Sequence, residues 1–175
     1  MSLIWRPVPL AKRRARRMDS RQTVATSRPF PGFTLRFSGA ATDVPPALQQ
    51  ALSKLDTLGL AADWRSTVEL VLAETLNNIA EHAYAGQPPG PVTLTARMTP
   101  ERLCVILRDQ GCPLPGQKLP EGRAPDTDVP CASLPEGGFG WFLIRDLTTA
   151  LHYRRTDQEN RLQLEFDLTA PPKPG

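Results

Sequence analysis

Three cysteines in 175 residues leave little for covalent or metal scaffolding. Cys104, Cys112 and Cys131 are odd in number and show no C-x-x-C spacing. Neither a disulfide framework nor a zinc site is therefore encoded, and a reducing, cytoplasmic setting is expected. No apolar run approaches the ~18 residues that mark a membrane span, so no membrane insertion is expected. A secretory leader is not indicated either, because the apolar "LIWRPVPLA" precedes the basic "KRRARR" and a leader has the opposite order. Two common phosphate loops are missing as well. No Gly-Lys-Ser/Thr follows the glycine run near residue 138, which excludes a Walker A loop. The spacing of those glycines, with no strand closely before them, excludes a dinucleotide-binding fingerprint. There is no internal repeat.

The net charge of +3 conceals two unlike parts. Residues 1–28 carry eight Lys or Arg and one acid, Asp19, whereas the rest carries 13 basic and 17 acidic side chains. The basic segment reads as a solvated, disordered tail. The alternatives are an organelle-targeting segment or a contact with nucleic acid or an anionic membrane through "KRRARR". Met18 is an alternative start.

The remainder has the size and composition of one domain, placed at residues 29–170, with 171–175 as a frayed end. "GFTLRFS" (Gly32–Ser38) alternates apolar and polar residues as a half-buried strand does. Leu48, Ala51, Leu52, Leu55 and Leu58 recur at helical spacing within Thr42–Leu60, and Gly59 is placed to cap that helix. A second helix, capped by Asp63 or Ser66, runs to about Tyr84 and stops at "AGQPPG". "PVTLTARM" and "RLCVILRD" form a hairpin across "TPE". Residues 111–138 show no periodicity and contain six prolines, which marks a long functional or disordered loop. "PEGGFGWFLIRDLTTA" then reads as a glycine turn entering a helix, and "LHYRR" and "RLQLEFDL" as strands around "TDQEN". This order predicts an α+β two-layer sandwich, a mainly antiparallel mixed sheet covered on one face by helices.

The second helix poses a question. "ETLNNIAEHAY" puts two asparagines in a helix interior, where Asn is a poor former. At about 100° per residue, Val68, Leu72, Leu76, Ile79 and Ala83 form an apolar stripe. Glu74, Asn78 and His82 fall along one line on the far side, while Asn77 has no role in either reading. A solvated face is the plain explanation, but such a face is better served by Glu, Lys or Arg than by Asn and His. The other explanation is a magnesium-phosphate site. An amide oxygen suits Mg²⁺, and a carboxylate can orient an attacking hydroxyl. "RDQGCPLP" puts Asp109 at a strand end before Gly111, either as a turn or as a carboxylate facing a buried ligand amine with glycine leaving room. Gly137, Gly138 and Gly140 precede a helix, either as a tight turn or where backbone can approach phosphate. Trp141, Phe142 and Ile144 read as core.

In this order, E-x-x-x-N-x-x-x-H, D-x-G-x-P, a proline-rich loop and G-G-F-G resemble the ATP-binding domain of the GHKL superfamily. "AETLNNIAEHAY", "VILRDQGCPLP" and "PEGGFGWFLIRDL" are most similar to the small anti-sigma-factor serine/threonine kinases. The resemblance spans about residues 30–168 and implies the Bergerat fold, with ATP and Mg²⁺ as cofactors. It implies Glu74 as catalytic carboxylate, Asn78 as magnesium ligand, and Asp109 as adenine acceptor with Gly111 beneath the base. It puts Gly137, Gly138 and Gly140 at the phosphates, His82 near them, and an ATP lid at about 111–138. Two departures stand out. "PLPGQKLP" replaces the family's aromatic-acid-proline run, and Asn160-Arg161 lies where relatives carry a hydroxyl near adenine. A chain of this length has no room for a histidine kinase's dimerisation domain, so its substrate is expected to be another protein. The resemblance implies a small anti-sigma antagonist or a sigma factor as partner, and a homodimer, as in relatives. The alternative function is a nucleotide-binding switch that holds its partner without phosphoryl transfer.

Overall fold

The computed structural model describes residues 30–122 and 139–173. The basic N-terminal segment and residues 123–138, the greater part of the loop expected at about 111–138 to act as a lid, with Gly137 and Gly138, lie outside the described residues. Five strands form one sheet in the order β1-β2-β3-β5-β4. They are β1 (Gly32–Ser38), β2 (Pro91–Met98), β3 (Arg102–Asp109), β4 (Ala150–Thr156) and β5 (Glu159–Asp167). All four pairings are antiparallel, so the sheet carries none of the parallel pairings that a mixed sheet would add.

Three α-helices accompany the sheet: α1 (Val44–Leu58), α2 (Ala62–Asn78) and α3 (Phe139–Leu147). Helix α1 ends on Gly59, whose φ of 93° lets Leu60 N–H reach back to the Leu55 carbonyl. Helix α2 begins earlier than its capping signals suggest. Its N-cap is Ala61, without a side-chain cap, and Asp63 sits inside the first turn. The extra turn is held by packing, since Trp64 is buried and meets Phe166 edge-on with ring centres 6.3 Å apart.

The core lies between the helices and one sheet face. Leu52, Leu72, Leu103, Leu107, Leu164 and Phe166 are at most 1% exposed there. Truncating any such leucine to alanine costs about 2–5 kcal/mol. Along β3 and β5 burial alternates strictly, so Leu103, Val105, Leu107 and Asp109 share the core face with Asn160, Leu162, Leu164 and Phe166. The β4–β5 hairpin closes through Asp157 and Gln158, with φ of 49° and 67°. Two successive residues with positive φ give the turn whose twist suits a two-residue hairpin, here without glycine.

After Asn78 the α-helical ladder gives way to a π-helical turn over Ile79–Ala83. Tyr84 N–H bonds the Ile79 carbonyl five residues back. A π turn advances each residue by a smaller angle, so His82 does not continue the straight line through Glu74 and Asn78 that regular helical spacing predicts. Tyr84 then pins the helix end to the sheet. Its ring lies against Gly39 and Gly90, where a Cβ would collide with it. Its hydroxyl donates to Pro91 O and accepts from Gln110 N–H, both at 3.2 Å.

Candidate active site

A cavity of about 390 Å³ opens between α2, the loop after β3, and the β4–β5 hairpin. Helix α2 and its π turn give Thr75, Asn78, Ile79, His82 and Ala83 to one wall. Asp109, Tyr153, Asn160 and Leu162 form the opposite wall. Pro113, Leu114, Pro120 and Trp141 close it with apolar surface. The shape is that of a small-molecule site, mostly apolar with a few convergent polar groups.

The polar wall exists because two strands carry their core-face alternation one residue beyond the apolar set. Asp109 ends the buried series on β3, Asn160 starts the one on β5, and they are register partners. Both are buried, at 6% and 5% exposure. Asn160 Nδ2 donates to Asp109 Oδ1 at 2.8 Å, to Cys112 O at 3.0 Å and to Gly111 O at 3.3 Å. Its Oδ1 accepts from Tyr153 Oη and from Arg155 Nη1, each at 2.7 Å. Arg155 Nη1 also donates to Gly111 O at 2.9 Å, and Gly111 N–H donates to Asp109 Oδ1 at 2.9 Å. Both bonds to Asp109 fall on Oδ1. Among the described residues Oδ2 receives none, which leaves it for a ligand donor. Burial pushes the Asp109 carboxyl above its usual value, against the hydrogen bonds from Asn160 and Gly111 and the nearby Arg155 charge.

Gly111 serves this wall in a way that its sequence position does not reveal. A Cβ there would run into the Ala83 carbonyl. That carbonyl accepts from Cys112 N–H at 2.7 Å and from Gln87 Nε2 at 2.6 Å. The π turn thus offers the carbonyl, and glycine lets the loop close onto it.

At the other end, the first turn of α3 meets α2. A Cβ on Gly140 would lie 2.6 Å from Glu74 Oε2 and 3.8 Å from Asn78 Nδ2. Gly140 therefore sits beside both side chains. Asn78 Nδ2 is buried with no hydrogen-bond partner among the described residues, a state that costs about 1–3 kcal/mol unless something fills it. Amide nitrogen and oxygen are assigned by their surroundings, so the unfilled end is suited to phosphate as a donor or, flipped, to a cation as an oxygen. A neighbouring carboxylate and amide fit a magnesium ion that takes few protein ligands. No group of three or more His, Cys, Asp or Glu side chains able to hold a metal occurs among the described residues. Glu74 is half-buried but does not line the cavity, and His82 is exposed on its rim. Arg145 ties α3 to the start of the long loop, donating to Pro120 O at 2.7 Å.

The structure thus brings Asn78, His82 and Asp109 around one cavity, with Glu74 and Gly140 packed together beside Asn78. Asn160, at a departure from the resemblance, donates directly to the Asp109 carboxylate. Thr75, Tyr153 and Arg155 were not legible as site residues. The signal for Asn160 was its phase, a polar residue in step with Leu162, Leu164 and Phe166. Ile144 is buried, whereas Trp141 and Phe142 are only partly so, and Trp141 faces the cavity.

Residues 37–166 match the histidine kinase-like ATPase domain family. The serine/threonine-protein kinase BtrW of Bordetella bronchiseptica is 34% identical over 138 residues, covering 75% of this chain and 90% of that protein. The serine-protein kinase RsbW of Halalkalibacterium halodurans is 32% identical over 91 residues, covering 51% of this chain and 55% of that one. Among solved structures, the blue-light activated histidine kinase of Erythrobacter litoralis EL346 is 22% identical with a TM-score of 0.44, over 71% of this chain and 41% of that one. No helix of the described residues is long and apolar enough to cross a membrane. With the family matched across most of its length and a protein kinase as relative over nearly all of the domain, this chain belongs to the histidine kinase-like ATPase family, among its small serine/threonine-protein kinases.

Proposed function

We propose that the chain uses ATP and Mg²⁺ to phosphorylate a serine or threonine of a small anti-sigma antagonist, and so controls the availability of a sigma factor. The observation that carries the nucleotide reading is the buried Asp109 carboxylate. It is held on one oxygen by Asn160 and Gly111 and leaves the other toward an apolar cavity. An adenine amine is a donor of the right kind for that oxygen, and Trp141, Leu114 and Ile79 supply apolar surface for the ring. The phosphates would extend toward Asn78 and Gly140, with Gly137 and Gly138 preceding them in the chain. Mg²⁺, when bound by Asn78, would neutralise phosphate charge. Glu74 orients the acceptor hydroxyl and takes its proton. His82, at the rim, contributes to phosphate binding, and the long loop from residue 111 onward acts as the lid.

The test is incubation of the full chain with γ-labelled ATP, Mg²⁺ and a small antagonist-like protein, beside an ATP titration. Label on a serine or threonine of the antagonist is expected. ATP binding without labelled partner would overturn the kinase mechanism. One observation favours a second reading, in which nucleotide acts only as a switch for holding the partner. Glu74 lies outside the cavity-lining set. Glu74→Gln abolishes regulation under the first reading and preserves it under the second.

A further inference from the structure

The sheet's other face carries a pattern that the nucleotide site does not use. On β3 and β5 the residues pointing away from the core are Arg102, Cys104, Ile106, Arg108 and Glu159, Arg161, Gln163, Glu165, all half-buried or exposed. The register sets Arg36 opposite Thr93, Thr93 opposite Arg108, Arg108 opposite Arg161, and Arg161 opposite Arg154. Neighbouring strands lie about 4.8 Å apart, so three arginines on β3, β5 and β4 stand side by side. Like charges directly opposite destabilise a sheet. The face does little to neutralise them. Arg108 has Glu159 at 3.5 Å, while Arg161 bonds Gln163 Oε1 at 3.0 Å and keeps a buried Nε with no partner among the described residues. Arg154 has no ion pair among the described residues.

The surroundings extend the pattern. Arg97 and Arg102 flank the row, so six arginines share the face with three acids, Glu159, Glu165 and Asp167. Cys104 and Ile106 lie between them as an apolar centre, and burial pushes the Cys104 thiol up. An apolar centre bordered by arginine is a composition typical of protein interfaces.

We infer that this face docks an acidic segment of a partner protein, whose carboxylates pair with Arg108, Arg161 and Arg154. A second copy of the chain is the weaker occupant, because a two-fold contact would set the arginine row against itself. Nucleic acid is also weaker, because no Phe, Tyr or Trp on the strands points to this face to stack bases. The face lies across the sheet from the cavity, so this inference and the nucleotide reading fail independently.

The experiment titrates fluorescein-labelled polyglutamate into the full chain and follows anisotropy at low and at high salt. R154Q/R161Q is expected to weaken binding about tenfold and to lower its salt dependence. R13Q/R14Q/R16Q/R17Q, in the basic N-terminal segment, should change it less than about threefold. ATP affinity should stay unchanged in both. The melting temperature of R154Q/R161Q should hold or rise, since a repulsion is removed. Arg154→Gln alone, at an exposed position, keeps the test valid if the double variant folds poorly, and it too should weaken binding. Equal polyglutamate affinity in Arg154→Gln and the parent would overturn the inference, as would loss of binding in the N-terminal variant alone. Tighter binding of single-stranded RNA, or a dimer that only the sheet variants dissolve, would equally overturn it.

Discussion

Replacing Asn160 by leucine keeps the branching of the side chain at Cγ while deleting its five hydrogen bonds. The bond to the Asp109 carboxylate is charge-assisted, worth about 1.5–3 kcal/mol, and the other bonds about 1 kcal/mol each at most. Water entering from the cavity can satisfy Tyr153, Arg155 and the two carbonyls in part, so the net cost should be about 3–4 kcal/mol. That is a large share of the roughly 5–15 kcal/mol that holds a domain. At about 2–4 °C per kcal/mol for a domain of this size, the melting temperature should drop by roughly 6–16 °C. The pH dependence is more diagnostic. Burial already raises the Asp109 carboxyl, so folding disfavours its charged form. That penalty is absent at pH below its unfolded value, grows as pH rises through the window between the unfolded and folded values, and is constant above. Losing the Asn160 donor raises the folded value further. Urea unfolding of both proteins across this range should therefore show a stability gap that is widest near neutral pH and narrows toward acid. ATP affinity of the variant should likewise fail at higher pH than in the parent. A destabilisation below about 0.5 kcal/mol, or a gap independent of pH, would refute the network as the support of Asp109.

Three further outcomes follow from the same geometry. Asn78→Ala should abolish Mg-ATP binding while leaving the fold as stable as the parent or more so, because its Nδ2 has no partner to lose among the described residues; circular dichroism with thermal melting and a nucleotide titration read both halves. Gly140→Ala should hold or raise the melting temperature, since alanine favours helices by about 1 kcal/mol. It should lower phosphoryl transfer at least about tenfold, because the new methyl displaces Glu74 Oε2, and turnover at saturating ATP measures this. Asp109→Asn should remove ATP binding at every pH without loss of stability at neutral pH, whereas the parent should lose affinity on acidification at a pH above that of an exposed aspartate, as isothermal titration across pH would record.

How much of this was legible depended on which rule governs each segment. The alternation of "PVTLTARM" announced β2, and Gly59 announced its helix end, because burial on one face and a positive φ leave direct marks in residue choice. The start of α2 left no such mark. Its N-cap is an alanine, and the turn before Ser66 is held by burying Trp64, which reads equally as loop or helix. The π turn was equally hidden. Ile79 and Ala83 suit either ladder, and the choice is made by Cys112 N–H and Tyr84, the first of them distant in sequence. Within the site, Asp109 stood out as an acid ending an apolar strand, and Asn78 as a poor helix former in line with Glu74 and His82. Tyr153 and Arg155 did not, because their function depends on a cross-strand register that only pairing supplies.

The Asp157–Gln158 turn sets that register. Side chains alternate with a period of two, so a slip of one residue would turn every β5 side chain to the opposite face. Asn160 would leave Asp109 and emerge among the arginines, and Arg161 would enter the cavity. The polar wall of the cavity and the basic face are therefore one alignment seen from two sides. Two residues with positive φ, Asp and Gln where Asn-Gly is favoured, hold both. Sequence drift at this hairpin would not trade one surface against the other; it would lose them together.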